Sequence, residues 1–220
     1  MIKLVIFDLD GTLLNTIADL AQSTNFALDK LGYPTHPIER FNMMVGNGID
    51  KLFERALPQG EKTAENIAKM RTIFVDYYAE HLTDKSTPYQ GMMDVLYELK
   101  NKDIKLAIAT NKYQEGSEIL VNHFFSDIPF LKVLGQREGI PTKPDPMIIE
   151  EILEVIPTPK DQVLYLGDSD VDMLTAKNAG IIGCGVSWGF RAEEELAKHK
   201  PDHLIHHPKE ILEVIESYNN

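Results

Sequence analysis

Two carboxylates at the start of the chain are the residues best placed to do chemistry. Asp8 and Asp10 stand i, i+2 in Lys3-Leu4-Val5-Ile6-Phe7-Asp8-Leu9-Asp10-Gly11-Thr12. The apolar run before them favours a strand buried on both faces. Side chains alternate along a strand, so the two acids would point the same way if the extension continued. Gly11 then allows a sharp turn. Acids at the carboxyl end of a buried strand sit where open α/β sheets bind ligands. On their own they read equally well as solvated acids ending a strand. A calcium loop is disfavoured. It would need an oxygen ligand of the Asp/Asn kind at Thr12 and a Glu where Asp19 stands.

Three later stretches carry the same pattern. Ile104 to Ala109 is an apolar run ending in Thr110-Asn111. Lys143-Pro144 opens a helical stretch. Val163 to Gly167 ends in Asp168-Ser169-Asp170-Val171-Asp172. Strand ends rich in small polar and acidic residues thus recur, with a lysine between them in sequence.

The elements that must position these residues alternate. A helix follows Thr16, with Ile17, Leu20, Ala21, Thr24, Ala27, Leu28 and Leu31 on one stripe and Asn15 or Thr16 as its cap. Gly32 is placed to stop it. Residues 37–57 predict two short helices broken at Val45-Gly46-Asn47-Gly48. Residues 61–82 predict a long amphipathic helix with Ile67, Met70, Ile73, Phe74, Tyr77 and Leu82 inward. No strand pattern interrupts residues 16–84. A crossover between parallel strands needs only one helix, so this block reads as an insertion. Strands and helices alternate from Gly91 onward. The strands are expected at 104–110, 131–134, 163–167, 181–186 and 203–205. The fold class is therefore α/β, a doubly wound parallel sheet with an inserted helical block. The domains are expected at 1–15 with 85–220, and at 16–84.

Composition removes several function classes. The 220 residues carry a net charge of -12 and are 43% hydrophobic. A nucleic-acid partner is disfavoured, because phosphate backbones require a basic face. Cys184 is alone and cannot form an internal disulfide. No signal-peptide run or bilayer-length apolar segment stands out, so no membrane partner is expected and the cytoplasm is the expected compartment. His199, His203, His206 and His207 crowd one region at spacings that fit no zinc site. Trp188-Gly189-Phe190-Arg191 follows a strand and stands either at the site entrance or in packing. The oligomeric state is not legible.

The four stretches, in this order and over nearly the whole chain, resemble the haloacid dehalogenase-like hydrolase superfamily. The resemblance implies a Rossmann-like core, a helical cap formed by the insertion, and phosphoryl transfer. Asp8 would be the nucleophile that forms an aspartyl-phosphate. Asp10 would be the general acid and base, and its presence favours phosphoryl chemistry over dehalogenation. Thr110, Asn111 and Lys143 would bind the phosphoryl oxygens. Asp8, the backbone carbonyl of Asp10, and Asp168 would hold Mg2+. Asp172 would hold Lys143 or a metal-bound water, and Asp170 would be solvated. Packing these acids together without a cation would be strongly repulsive, so Mg2+ is expected to be obligatory. Gly46, Asn47 and Gly48 are either a helix-breaking turn or the part of the cap that meets the substrate. Lys51 reads as a surface lysine.

Asp8-Leu9-Asp10-Gly11-Thr12-Leu13, Val45-Gly46-Asn47-Gly48, Gly167-Asp168-Ser169-x-x-Asp172 and Ala176-x-x-Ala179-Gly180 look most like the phosphoglycolate phosphatase-like branch. Asn15 departs from the Asp more usual there. The resemblance implies a phosphatase of a small phosphorylated metabolite, with 2-phosphoglycolate as the leading candidate. A β-phosphoglucomutase-like sugar phosphomutase and a pyrophosphatase or nucleotidase are the alternatives. A non-catalytic binding module is disfavoured, since it would have no use for Asp10.

Overall fold

A computed structural model describes residues 1–218. Its centre is a six-stranded parallel sheet, β1 (Leu4–Phe7), β4 (Lys105–Tyr113), β5 (Phe130–Gln136), β6 (Val163–Gly167), β7 (Ile182–Val186) and β8 (His203–Ile205), in the order β5-β4-β1-β6-β7-β8. Phe7 pairs with Ile108 on one side and Leu166 on the other. The chain leaves β1 in both directions. The carboxyl ends of β1, β4 and β6 therefore converge at a topological switch point.

Alternation along β1 divides the interior. Val5 and Phe7 pack with Leu96 and Leu99 of α4 (Met92–Asn101), Leu120 of α5 (Gln114–Phe124) and Ile211 and Ile215 of α9 (Glu210–Ser217). Leu4 and Ile6 face Ile148 and Ile152 of α6 (Met147–Val155) and Ala176 and Ala179 of α7 (Asp170–Ala179). The β1 residues are fully buried, and their apolar atoms are what anchors the strand that carries Asp8. Helix α8 (Glu193–Lys198) lies between β7 and β8 in sequence.

The stretch between β1 and α4 adds no strand to this sheet. It holds α1 (Ile17–Lys30), a 3-10 turn at Ile38–Met43, α2 (Ile49–Ala56) and α3 (Ala64–His81). A two-stranded antiparallel ribbon, β2 (Leu14–Asn15) with β3 (Thr87–Pro88), brackets it. These strands are too short to show a period, which is why the sequence pattern does not reveal them. Phe53 of α2 meets Phe74 of α3 edge-on at 5.2 Å, and Phe74 stacks on Tyr78 at 4.9 Å. The inward face of α3 is Met70, Phe74 and Tyr78, at i, i+4 and i+8. Tyr77, expected inward, is instead half-buried and stacks on Phe26 of α1 at 4.0 Å.

Three local differences from the sequence expectation bear on the site. Strand β4 continues through Thr110, Asn111 and Lys112 instead of stopping at Thr110; its register with β5 breaks after the Ala109–Leu134 pair and resumes at Tyr113 with Gln136. The extension of β1 does not continue to Asp10. The chain coils at once, with the N–H groups of Thr12, Leu13 and Leu14 all bonded to Leu9 O and Gly11 at φ +89°. Finally, Thr16 occupies the N-cap position of α1 but makes no capping bond, because its hydroxyl points to Asp10.

No helix among the described residues is long and apolar enough to cross a membrane.

Candidate active site

Asp8 follows the last residue of β1, and its N–H bonds to Leu166 O at 2.8 Å, which prolongs the sheet ladder by one step. Its carboxylate is buried. Oδ1 lies 3.0 Å from Lys143 Nζ but receives no well-directed hydrogen bond. Burial is the chief cause that raises Asp8 from the ordinary carboxylate value to about 6; Lys143 opposes it, and Asp172 and Asp10 add to it.

Lys143 comes from the loop ahead of α6. Its Nζ donates to Asp172 Oδ1 at 2.7 Å, Tyr165 Oη at 2.8 Å and Ala109 O at 3.1 Å. Burial alone would lower this ammonium, but Asp172 and Asp8 outweigh it and hold it above its ordinary value. Asp172 is saturated on the other side too. Its Oδ2 accepts from Ser169 N at 3.1 Å and Ser169 Oγ at 2.6 Å, while Tyr165 Oη donates to Oδ1 at 2.8 Å. A carboxylate with both oxygens engaged this way is a rigid holder of a lysine.

Asp168 ends β6. Its Oδ2 accepts from Phe190 N at 2.7 Å and its Oδ1 from Thr12 Oγ1 at 3.4 Å. Burial, then the Asp172 and Asp8 charges, push it well above the ordinary carboxylate range. Two glycines make room for it. A Cβ on Gly11 would lie 2.3 Å from Asp168 Oδ2, and one on Gly189 would lie 2.1 Å from Asp168 Cβ. Thus the Trp188–Arg191 stretch backs the acid through Gly189 and Phe190. Trp188 itself ties its indole N–H to Thr12 O at 3.1 Å.

Carboxylate oxygens of Asp8, Asp168 and Asp172 come within 4.8 Å of one another, all buried. Three acids at such spacing repel unless a cation joins them. Asp172 is already spent on Lys143, Tyr165 and Ser169. Asp8, whose Oδ1 has no hydrogen-bond partner, and Asp168, both with raised proton affinity, fit a hard divalent cation. This buried cluster fits a metal ion.

Asp10 stands apart from the cluster, facing the insertion. Its Oδ1 accepts from Thr16 Oγ1 at 2.7 Å, and Lys112 Nζ lies 3.3 and 3.2 Å from its two oxygens. Lys112 is buried. It also donates to Tyr78 Oη of α3 at 2.7 Å and lies 4.6 Å from that ring's centroid. Burial lowers the Lys112 ammonium, and Asp10 opposes the shift. Lys112 did not stand out in the sequence. The expected strand ended at Thr110, and the register irregularity between Ala109 and Tyr113 leaves no regular alternation that would have singled it out.

Thr110 lines the pocket, and its hydroxyl oxygen accepts from Lys112 N at 3.3 Å. Asn111 lines it as well, but its side chain is a clasp. Nδ2 donates to Gly46 O and to Lys143 O, both at 3.1 Å, and Oδ1 accepts from Lys143 N at 2.9 Å. Both amide hydrogens are thereby committed to carbonyls.

The insertion closes the pocket from above. Its wall combines Asp8, Asp10, Thr110, Asn111, Lys112 and Tyr113 with Leu20, Val45, Gly46, Gly48, Ile49, Leu52 and Phe74, around about 490 Å³ including the mouth. Gly46 and Gly48 border it. Asn47 is not among the lining residues, and its Oδ1 accepts from Arg55 at 2.7 Å. Arg55 also bonds Met44 O at 2.8 Å, and Arg191 bonds Asn42 O and, at 2.7 Å, Val45 O. These two guanidiniums fix the 44–48 loop, one from α2 and one from the stretch after β7. Lys51 is exposed and pairs with Glu54. Asp170 is half-buried at the start of α7. Of the four histidines, His203 bonds Tyr218 Oη at 2.8 Å and His206 bonds Glu193 at 3.1 Å, away from the pocket.

Comparison with known proteins agrees with this geometry. A phosphoglycolate phosphatase of Vibrio parahaemolyticus is 36% identical over 97% of this chain and 96% of its own length. One from Mannheimia succiniciproducens is 32% identical over 97% of this chain and 98% of its own. The crystal structure of a protein from Haemophilus somnus, described as a predicted phosphoglycolate phosphatase, superposes with a TM-score of 0.89 at 32% identity, covering 97% of both chains. The model of the haloacid dehalogenase-like hydrolases matches residues 5–186. The chain belongs to the haloacid dehalogenase-like hydrolase family.

Proposed function

We propose that this protein is a Mg2+-dependent phosphatase that hydrolyses a small phosphomonoester through an aspartyl-phosphate on Asp8, with 2-phosphoglycolate as its leading substrate. The observation that carries the proposal is the division of labour between the first two acids. Asp8 sits on the floor beside Lys143 and Asp168, where a phosphoryl group would be neutralised. Asp10 faces the insertion, where a leaving group would lie. Relatives at 32–36% identity over almost the full chain support the same reading.

In the first step an Asp8 oxygen bonds to phosphorus and the bond to the ester oxygen breaks. Asp10 gives its proton to the departing oxygen. In the second step Asp10 takes a proton from water, the water oxygen bonds to phosphorus, and the acyl-phosphate bond breaks. Inorganic phosphate leaves and Asp8 is restored. Splitting the displacement in this way replaces one hard step by two easier ones. Lys143 and the Thr110 hydroxyl hold phosphoryl oxygens, and Asp172 and Tyr165 keep Lys143 in place. Asp8, Asp168 and the backbone carbonyl of Asp10 would hold Mg2+, which supplies charge neutralisation on the transferring group. The helical stretch of residues 16–84 acts as a cap that keeps bulk water from the reacting centre, on a core of residues 1–15 and 85–220.

The test is phosphate release from 2-phosphoglycolate, β-glucose 1-phosphate, pyrophosphate and several nucleotides, with Asp8→Asn as the blank. Selective Mg2+-dependent release from 2-phosphoglycolate is expected, lost in excess chelator. Selective turnover of another ester would reject the substrate, and release that survives Asp8→Asn would reject the mechanism.

A further inference from the structure

Among the described residues that line the pocket, Lys112 carries the only positive charge. We propose that Lys112 is the residue that recognises an acidic leaving group, pairing its ammonium with a carboxylate attached one carbon from the ester oxygen. The inference rests on the reading of Asp10 as the acid that protonates that oxygen.

Geometry sets the spacing. Lys112 Nζ lies 3.2 Å from Asp10 Oδ2. A leaving oxygen in hydrogen-bond contact with Asp10 is therefore about one small group away from the ammonium. A carboxylate one carbon along spans that gap; a longer or bulkier chain would carry its charge past it. The ammonium has capacity for a further partner. It has three N–H donors. Tyr78 Oη takes one at 2.7 Å, and the two Asp10 oxygens, at 3.2 and 3.3 Å, can share a second at the long end of the hydrogen-bond range. The third is free for a ligand. Tyr113 also lines the pocket, and its buried Oη has no hydrogen-bond partner among the described residues. The rest of the wall is Leu20, Val45, Ile49, Leu52 and Phe74. Such surroundings exclude water and strengthen a new ion pair. Arg55 and Arg191 are spent on loop carbonyls behind the wall, and Lys143 is spent on Asp172, Tyr165 and Ala109.

The experiment compares 2-phosphoglycolate with its neutral isostere, the carboxamide, on wild-type protein and on Lys112→Met. Wild type is expected to favour the acid by about 100-fold in kcat/KM, the scale of a hydrogen-bonded charge pair in a dry site. In Lys112→Met the preference should fall to within about threefold, while turnover of both esters drops together through the lost Asp10 contact. Lys112→Arg, which keeps the charge, should restore a preference for the acid. Should the Met variant fail to fold, Lys112→Gln keeps a neutral donor toward Asp10 and Tyr78 and reports the same ratio. Wild-type protein that hydrolyses both esters equally, or a neutral variant that retains the preference, overturns the role of Lys112 and leaves the phosphatase intact. Wild-type protein that releases phosphate from neither ester overturns both.

Discussion

The Thr16 hydroxyl donates to Asp10 Oδ1 at 2.7 Å. The first residue of the insertion therefore touches the carboxylate assigned to acid–base work, and the position of the insertion bears directly on that group. Asp10→Asn removes the proton donor and keeps the shape. The expected loss in kcat on 2-phosphoglycolate is roughly 10²–10⁴-fold. A p-nitrophenyl ester, whose leaving group needs no proton, should lose far less in the first step, and burst kinetics would show that difference. Thr16→Val should cost about tenfold or less, because Lys112 still holds the carboxylate.

The cluster of Asp8 and Asp168 makes the metal-free protein sensitive to pH. Both groups bind protons more tightly when folded, Asp8 at about 6 against an ordinary 3.8. The native state then holds more protons than the unfolded one across that window. The stability due to Asp8 is complete below 3.8 and is lost as the pH rises through about 6. Thermal melts in chelator should show this decline, and Mg2+ should raise the melting temperature more at pH 7.5 than at pH 5 (buffer values on the order of one unit either side of the transition). Equal Mg2+ increments at both pH values would contradict it.

Asp8→Asn follows from the same electrostatics. It removes a buried negative charge that the fold, without a cation, does not fully compensate. The metal-free variant is expected to be more stable than wild type at neutral pH by roughly 1–3 kcal/mol, and to release no phosphate. Urea titration of both proteins in chelator measures the first, and a phosphate assay the second.

Gly189 controls how Asp168 sits. A methyl group there would lie 2.1 Å from Asp168 Cβ, against a side chain held by Phe190 N and Thr12 Oγ1. Gly189→Ala should displace the carboxylate, weaken Mg2+ binding by more than about tenfold and cost on the order of 1–3 kcal/mol from overpacking. Calorimetric titration of Mg2+ separates the affinity loss from the stability loss.

Asp19 holds the far end of the insertion to the near one. Its buried carboxylate accepts from Lys85 N at 3.1 and 3.0 Å, and from Ser86 N and Ser86 Oγ at 2.7 Å each. Asp19→Ala would strand two amide hydrogens beside a buried cavity, at a cost of roughly 2–4 kcal/mol. Chemical denaturation would measure it. Amide exchange should rise first at Lys85 and Ser86, where the chain returns to the sheet.

The places of the candidate site residues were readable wherever type and local period suffice; the roles proposed for them rest on the family resemblance. Asp8, Asp10, Lys143, Asp168 and Asp172 stand at strand ends or helix starts, and alternation of apolar runs places those ends without knowledge of any contact. The parallel sheet and the helical insertion follow from the same periodicities. What only the tertiary structure decided are relations between elements far apart in sequence. The Lys112 ammonium meets Tyr78 from a helix of the insertion. Asp19 meets Ser86 across it, Arg191 holds the 44–48 loop from the stretch after β7, and Asn111 spends its side-chain amide on the Gly46 and Lys143 carbonyls. Each is a polar side chain whose partner is a backbone group or hydroxyl, and neither kind of partner leaves a mark in a hydrophobic pattern. Local period reports which face of an element is buried; it does not report what waits on the other side of that face, because that is fixed by how whole elements pack.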